Sequence, residues 1–285
     1  MRRAFLIGCV SGLAALVVVG CGGGNSGTTT TTTIPMKEHP PFKVLTYNLY
    51  WWCMSGKIRP HGQSCPQFAG DKGFHAIWAK IKQYGPFDLV GFQECDDAAK
   101  MFNGVGYQST HTWKQGPADI GMGYDKTKFD ALGDFNSTQV ETDQYGPRYI
   151  AWIRLRQKDG GANIFFANTH GPLPGPHGSM DGKHGHLVAH NYIKAVADNI
   201  QPGDAMVVTG DFNALPQDTE IWELNSTWTL AANDRTTHFD HIYMKNSTTK
   251  RIDWDDHNGA PSDHSILWAD LAALNPPSEQ TEVII

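Results

Sequence analysis

Apolar runs of strand length recur from Phe42 to Ala269, and they alternate with a few stretches of helical periodicity. Phe42–Tyr50 alternates apolar and polar side chains and reads as a strand; Asp88–Gln93 is a short buried run. Further strands are expected at Ile120–Tyr124, Ala131–Val140, Tyr149–Leu155, Asn163–Asn168, Ala205–Thr209, His241–Met244 and Ser265–Ala269. Asp71–Tyr84 carries Phe74, Ile77, Trp78 and Ile81 at helical spacing and is stopped by Gly85-Pro86; Ala98–Phe102 and His186–Ile200 are the other expected helices. Long strand runs with interspersed helices indicate a mixed-sheet α/β (α+β) fold.

The 285 residues are 40% hydrophobic and 18% charged, and no 20–50-residue period repeats, which excludes a disordered polymer and a solenoid. The fold is assigned to residues 41–272, with a loose polar tail at 273–285. Residues 1–21 have the order of an export signal: Arg2 and Arg3, then an uncharged apolar run from Ala4 to Gly20. That run is at or below the roughly 17–25 residues of a membrane span. Val18-Val19-Gly20-Cys21 has the form of a bacterial lipobox, so Cys21 is a candidate for lipid attachment, with residues 22–40 as a flexible Gly/Ser/Thr tether. The expected location is therefore secreted or cell-surface. Sequons at Asn136, Asn225 and Asn246 suit a eukaryotic secretory route equally well.

Within the fold, Cys53 and Cys65 flank a polar loop that a disulfide could close for about 3 kcal/mol. A Cys53–Cys95 bridge is the alternative. Loss of Arg2 and Arg3 with the signal takes the net charge from −6 to −8. Such a chain is not held to a polyanion by its overall field, so phosphate chemistry would need a local site or a metal ion.

Residues able to do chemistry stand near the carboxyl ends of the apolar runs. Asn48 lies in VLTYNLY, Glu94 ends DLVGFQE, and Asn168 and His170 end FFANTH. Asp211 and Asn213 follow MVVTG, Asp240 and His241 precede IYM, and Asp263 and His264 open SDHSILW. Carboxylates and carboxamides are hard oxygen donors, which favours Mg²⁺, Ca²⁺ or Mn²⁺ over Zn²⁺. Two imidazoles beside such an ion suit in-line hydrolysis of a phosphate ester.

The segments TYNLY, GFQE, PRYIAWIRL, ANTHGPL, TGDFNALP, FDHIYM and SDHSILWADL occur in an order that resembles the endonuclease/exonuclease/phosphatase superfamily, the deoxyribonuclease I-like proteins. The resemblance implies a four-layer αββα sandwich, with two packed mixed sheets between helices. It implies Glu94 as principal metal ligand, with Asn48 beside it and Asp263 on the metal side. Asp211 and Asn213 would position the attacking water and the phosphate. His170 and His264 would be the catalytic imidazoles, with Asp240 orienting His264 and Arg148 and Asn168 contacting phosphate. Family nucleases pair the first histidine with an acid; Pro117 stands at that position here, and Asp119 is the nearest substitute. The inositol-polyphosphate branch carries Cys-Asp-Arg where this chain has Phe239-Asp240-His241, which argues against that substrate. The expected activity is Mg²⁺-dependent cleavage of nucleic-acid phosphodiesters by a monomer, with a sphingomyelinase or phospholipase C-type reaction second and an inactive binding module third.

Two features stay outside this scheme. His177, His184, His186 and His190 form a histidine-rich cluster in a Gly-rich loop and helix start; it matches no metal motif and reads as a solvated segment beside the site. Trp51-Trp52 could form an aromatic lip, with core packing the default for at least one of them.

Overall fold

The computed structural model describes residues 36–56, 65–174 and 182–275. The expected signal at 1–21 and Cys21, most of the tether at 22–40, His177 and all but the first residues of the tail lie outside the described residues.

Among the described residues, fourteen strands form two seven-stranded sheets. The first sheet contains β1 (Lys37–Glu38), β2 (Phe42–Asn48), β3 (Leu89–Gln93), β4 (His111–Gln115), β5 (Gly121–Asp125), β13 (Thr249–His257) and β14 (Ile266–Asn275). The second contains β6 (Phe129–Ala131), β7 (Asn136–Asp143), β8 (Gly146–Gln157), β9 (Asn163–His170), β10 (Ala205–Asp211), β11 (Thr229–Asn233) and β12 (Asp240–Met244). Each sheet has one parallel pair at its centre, β2 with β3 and β9 with β10, and antiparallel strands outside it. Parallel neighbours deliver their carboxyl ends to the same edge. Asn48 thus pairs with Gln93, and Asp211 with His170.

Helices α1 (Trp51–Met54), α2 (Lys72–Tyr84) and α3 (Ala98–Val105) cover the first sheet, and α4 (Gly182–Ala197) and α5 (Thr219–Thr227) cover the second. The expected αββα sandwich is the fold observed. Asp97 caps α3 by accepting from the Lys100 amide at 2.8 Å, and Gly106 ends it at φ 93°, a conformation open to glycine. Among the described residues no helix is long and apolar enough to cross a membrane.

Two-residue alternation sorts the side chains into layers. On β2, Phe42 and Val44 face the other sheet while Leu45 and Tyr47 face the helices; on β9, Ile164 and Phe166 face inward while Phe165 and Ala167 meet α4 and α5. The inward face changes character along its length. It is apolar where Phe42, Leu89, Ile164 and Val207 meet, and becomes polar toward the carboxyl ends. There Gln93 donates to Thr46 Oγ1 of its own sheet at 3.0 Å and to Asn168 Oδ1 of the other sheet at 2.6 Å. Thr209 Oγ1 also donates to Asn168 Oδ1, at 3.0 Å. Gly91 leaves room for this contact, since a Cβ there would stand 2.6 Å from Asn168 Oδ1.

Several elements differ from expectation. The run expected as one strand at 131–140 is two, β6 and β7, broken at Gly133-Asp134. Helix α4 spans Gly182–Ala197, so His184 is helical along with His186 and His190, which the helix expected at 186–200 already contained. Strands β4, β11 and β13 and helix α5 lacked a readable pattern; β4 and β13 carry charge or polarity on outer strands, where only one side is paired. Cys53 and Cys65 form the disulfide, and Cys95 is buried as a free thiol.

Candidate active site

The polar end of the inter-sheet layer opens into a cleft of about 860 Å³. Glu94, Arg148, His170, Asp211, Asn213 and His264 line it, together with the rings of Trp51, Trp52, Tyr145 and Tyr149.

Asp211 is the point of convergence. It ends β10, is 1% exposed, and its Oδ2 accepts from Asn48 Nδ2 at 2.9 Å across the sheets. The same oxygen lies 3.8 Å from His170 Nε2 and 3.7 Å from His264 Nε2. Its Oδ1 accepts from the amide of Asn213 at 2.8 Å. Burial pushes the Asp211 carboxyl up, but the two imidazoles and these donors outweigh it and hold it below its ordinary value.

His264 precedes β14, and its Nδ1 stands 2.7 Å from Asp240 Oδ2. Burial works against charge on the ring, but Asp240 and Asp211 outweigh it, and the pKa is pushed up to about 11. Asp263, exposed beside it, adds to that effect. The loop is fixed by Ser262, whose Oγ donates to Asn48 O at 2.7 Å and accepts from the His264 amide at 3.1 Å. His170 behaves in the opposite sense. Burial is the main cause that takes its pKa down to about 4, and Arg148 and His264 add to it against the pull of Asp211.

Asn48 sits just behind the cleft: its Oδ1 accepts from the Tyr50 amide at 2.9 Å while its Nδ2 holds Asp211. Glu94 follows β3 at φ 45° and is half-buried in the cleft wall. Asn213, also at positive φ (53°), donates from Nδ2 to Gly171 O at 3.0 Å.

Two expectations are corrected. Asn168 is fully buried, and its carboxamide is spent on Gln93, Thr209 and, through Nδ2, Phe92 O at 3.0 Å. It ties the sheets together and is not a phosphate contact. Asp119 lines the cleft but does not orient His170: one ring nitrogen faces Asp211, and the other meets Arg148 Nη1 at 3.2 Å. Arg148 itself is held at Nε by Asp143 Oδ2 at 2.8 Å. Asp143, Ser262 and Gln93 were not singled out from sequence; Ser262 adjoins the SDH segment, whereas Asp143 sits in a polar turn with no distinguishing pattern. His241 packs its ring against Phe212, 5.6 Å between centroids, on the helix side of β12.

The donor set suits a hard divalent cation. Glu94 and Asp211 bring carboxylates to the same cleft, whereas Asp240 and His264, though within 4.8 Å of Asp211, are spent on each other at 2.7 Å.

The profile of the Endonuclease/Exonuclease/phosphatase family matches residues 67–264. Among solved structures, the human Nocturnin catalytic domain with a bound sulfate anion is similar with a TM-score of 0.65 at 16% identity, covering 82% of this chain and 94% of that one. An endonuclease/exonuclease/phosphatase protein from Bacteroides vulgatus gives 0.63 at 17%, covering 81% and 98%. A mannosyl-6-phosphatase from Bacteroides thetaiotaomicron gives 0.55 at 18%, covering 81% and 99%. No curated protein sequence matches the chain.

Proposed function

Because the chain belongs to the endonuclease/exonuclease/phosphatase family, a family of phosphoester hydrolases, we propose that it is a divalent-metal-dependent phosphodiesterase whose substrate is nucleic acid. The observation that carries this reading is the convergence of two imidazoles on a single Asp211 oxygen, one from each sheet, at 3.8 and 3.7 Å.

Glu94 would hold the cation, with Asn48 and Asp263 on the metal side and Mg²⁺ the expected ion. The chemistry such a cation supplies when bound is neutralisation of charge developing on the phosphate oxygens. Asp211, ionised and aimed by Asn48 and the Asn213 amide, takes the proton of the attacking water. Asn213 and Arg148 hold the phosphate. His264, kept cationic by Asp240, gives its proton to the ester oxygen as the phosphorus–oxygen bond breaks. The four aromatic rings in the cleft wall support a nucleic-acid substrate, because stacking can hold bases where a net charge of −8 on the exported chain offers no attraction. Export through the amino-terminal segment, with lipid attachment at Cys21, belongs to the same proposal. The Cys53–Cys65 disulfide supports it, since such bonds persist in oxidising compartments.

Exposed Tyr145 beside Trp51 and Trp52 favours one second reading, a phospholipase C-type hydrolase that meets lipid. The test is nicking of plasmid DNA by the purified full chain with Mg²⁺, with and without chelator, beside parallel assays on sphingomyelin vesicles and on mannose 6-phosphate. Chelator-sensitive nicking that His264→Ala abolishes is expected. Turnover of only the lipid or only the sugar phosphate would replace the nucleic-acid reading, and His264→Ala cleaving at the parent rate would remove the mechanism.

A further inference from the structure

The two imidazoles of the cleft are held by groups of opposite charge. Asp240, an acceptor, meets Nδ1 of His264, whereas Arg148 meets Nδ1 of His170. A guanidinium has only donors and does not lose its proton in a protein. The 3.2 Å contact between Arg148 Nη1 and His170 Nδ1 is therefore a hydrogen bond in one direction, from arginine to the ring lone pair. With Nδ1 occupied as an acceptor, the neutral ring carries its hydrogen on Nε2, the atom directed at Asp211 and the cleft.

Arg148 is not free to swing. Its side chain is 9% exposed and its Nε donates to Asp143 Oδ2 at 2.8 Å. Asp143 lies at the end of β7, opposite Gly146 in the hairpin with β8, and its own side chain is 5% exposed. Besides Arg148 it accepts from the Leu173 amide at 2.9 Å and, through Oδ1, from the Tyr145 amide at 2.7 Å. One carboxylate thus joins the β7–β8 turn, the segment that follows His170, and the guanidinium.

We propose that Asp143 is a positioning residue that acts through Arg148 to fix His170 as the neutral ring bearing hydrogen on Nε2, so that this imidazole presents a hydrogen-bond donor toward Asp211 and the cleft. Arg148, on this account, serves the histidine before it serves the phosphate. The kinetic consequence rests on the phosphodiesterase reading given above; the tautomer does not.

The test is a long-range proton–nitrogen NMR correlation of the ¹⁵N-labelled full chain at neutral pH without added metal. His170 is assigned as the ring whose signals vanish in His170→Gln. A bare, strongly deshielded Nδ1 and a protonated Nε2 are expected, and Arg148→Met should move both nitrogens toward the averaged shifts of mixed tautomers. An Nδ1-protonated ring or an imidazolium in the parent overturns the proposal, as do unchanged shifts in a folded Arg148→Met. With bis(p-nitrophenyl) phosphate and Mg²⁺, Asp143→Asn should lower kcat by about 10- to 100-fold while KM stays within about threefold, as for a mis-set imidazole. A raised KM at the parent kcat would leave Arg148 with the phosphate contact alone and overturn the positioning role of Asp143. Should no phosphodiester be turned over, the phosphodiesterase reading fails and the spectrum of the parent still decides the tautomer.

Discussion

His264 and Asp240 come from different sheets and meet at 2.7 Å, Nδ1 against Oδ2. The histidine precedes β14 of the first sheet, and the aspartate opens β12 of the second, in register with Asp211 on β10. Asp240 is fully buried and its Oδ2 is committed to the ring. Asp240→Asn keeps the volume but removes the charge that sustains the imidazolium. Hydrolysis of bis(p-nitrophenyl) phosphate should fall by about 10²- to 10⁴-fold. A rate within a factor of about two of the parent would show that the pair plays no part in proton transfer.

The same pair sets a pH dependence of stability. Folding raises the His264 pKa to about 11 from roughly 6.5 in an unfolded chain. The folded state binds the extra proton between those values. This contribution is complete below roughly pH 6.5 and is lost as pH rises through about 11. The parent Tm should therefore drop more steeply from neutral to alkaline pH than that of His264→Gln. Parallel slopes would mean that the folded ring is not charged.

Glu220 on α5 offers the converse case. It is fully buried, and neither carboxylate oxygen has a hydrogen-bond partner among the described residues. Burial pushes its pKa well up, and the charges of Asp218 and Asp211 add to that. A raised carboxyl contributes stability that is present below its unfolded pKa and lost as pH rises. Glu220→Gln should be more stable than the parent at mildly alkaline pH by about 1–3 kcal/mol. Denaturant midpoints at acid pH should show that advantage gone; an advantage independent of pH would mean that ionisation is not its source.

Gly91 gives a steric prediction. Its missing Cβ leaves the space through which Gln93 and Thr209 reach Asn168. Gly91→Ala should cost about 1–3 kcal/mol, read as a lowered urea midpoint with an unchanged slope. A midpoint equal to the parent's would show that the contact is slack.

Much of this site was legible because strands present their chemistry at their ends. Glu94, His170, Asp211 and His264 each follow or precede an apolar run, and all four line the cleft. Asn168 shows where that logic stops. It shares a face with His170, two residues further on, so alternation could not separate them; depth along β9 did, placing one between the sheets and the other in the cleft. Asp119 was proposed from the need for a partner to His170, but local sequence carries no record of that partner's charge. Arg148 fills the place through the β8–β9 pairing, and Asp143 through the hairpin turn Gln144-Tyr145, which carries no periodic pattern. The layers were readable from periodicity, whereas β4 and β13 were not, because strands paired on one side can carry polar residues on both faces.

The carboxamide contacts between the sheets bear on reactivity as well as stability. Asn48 belongs to one slab and Asp211 to the other, as do His264 and His170. The gap across which a phosphate would be gripped is thus set like the jaws of a vice, with Gln93, Asn168 and Thr209 as the spacer. Shortening that spacer would retune the grip without altering any group that touches the reacting atoms.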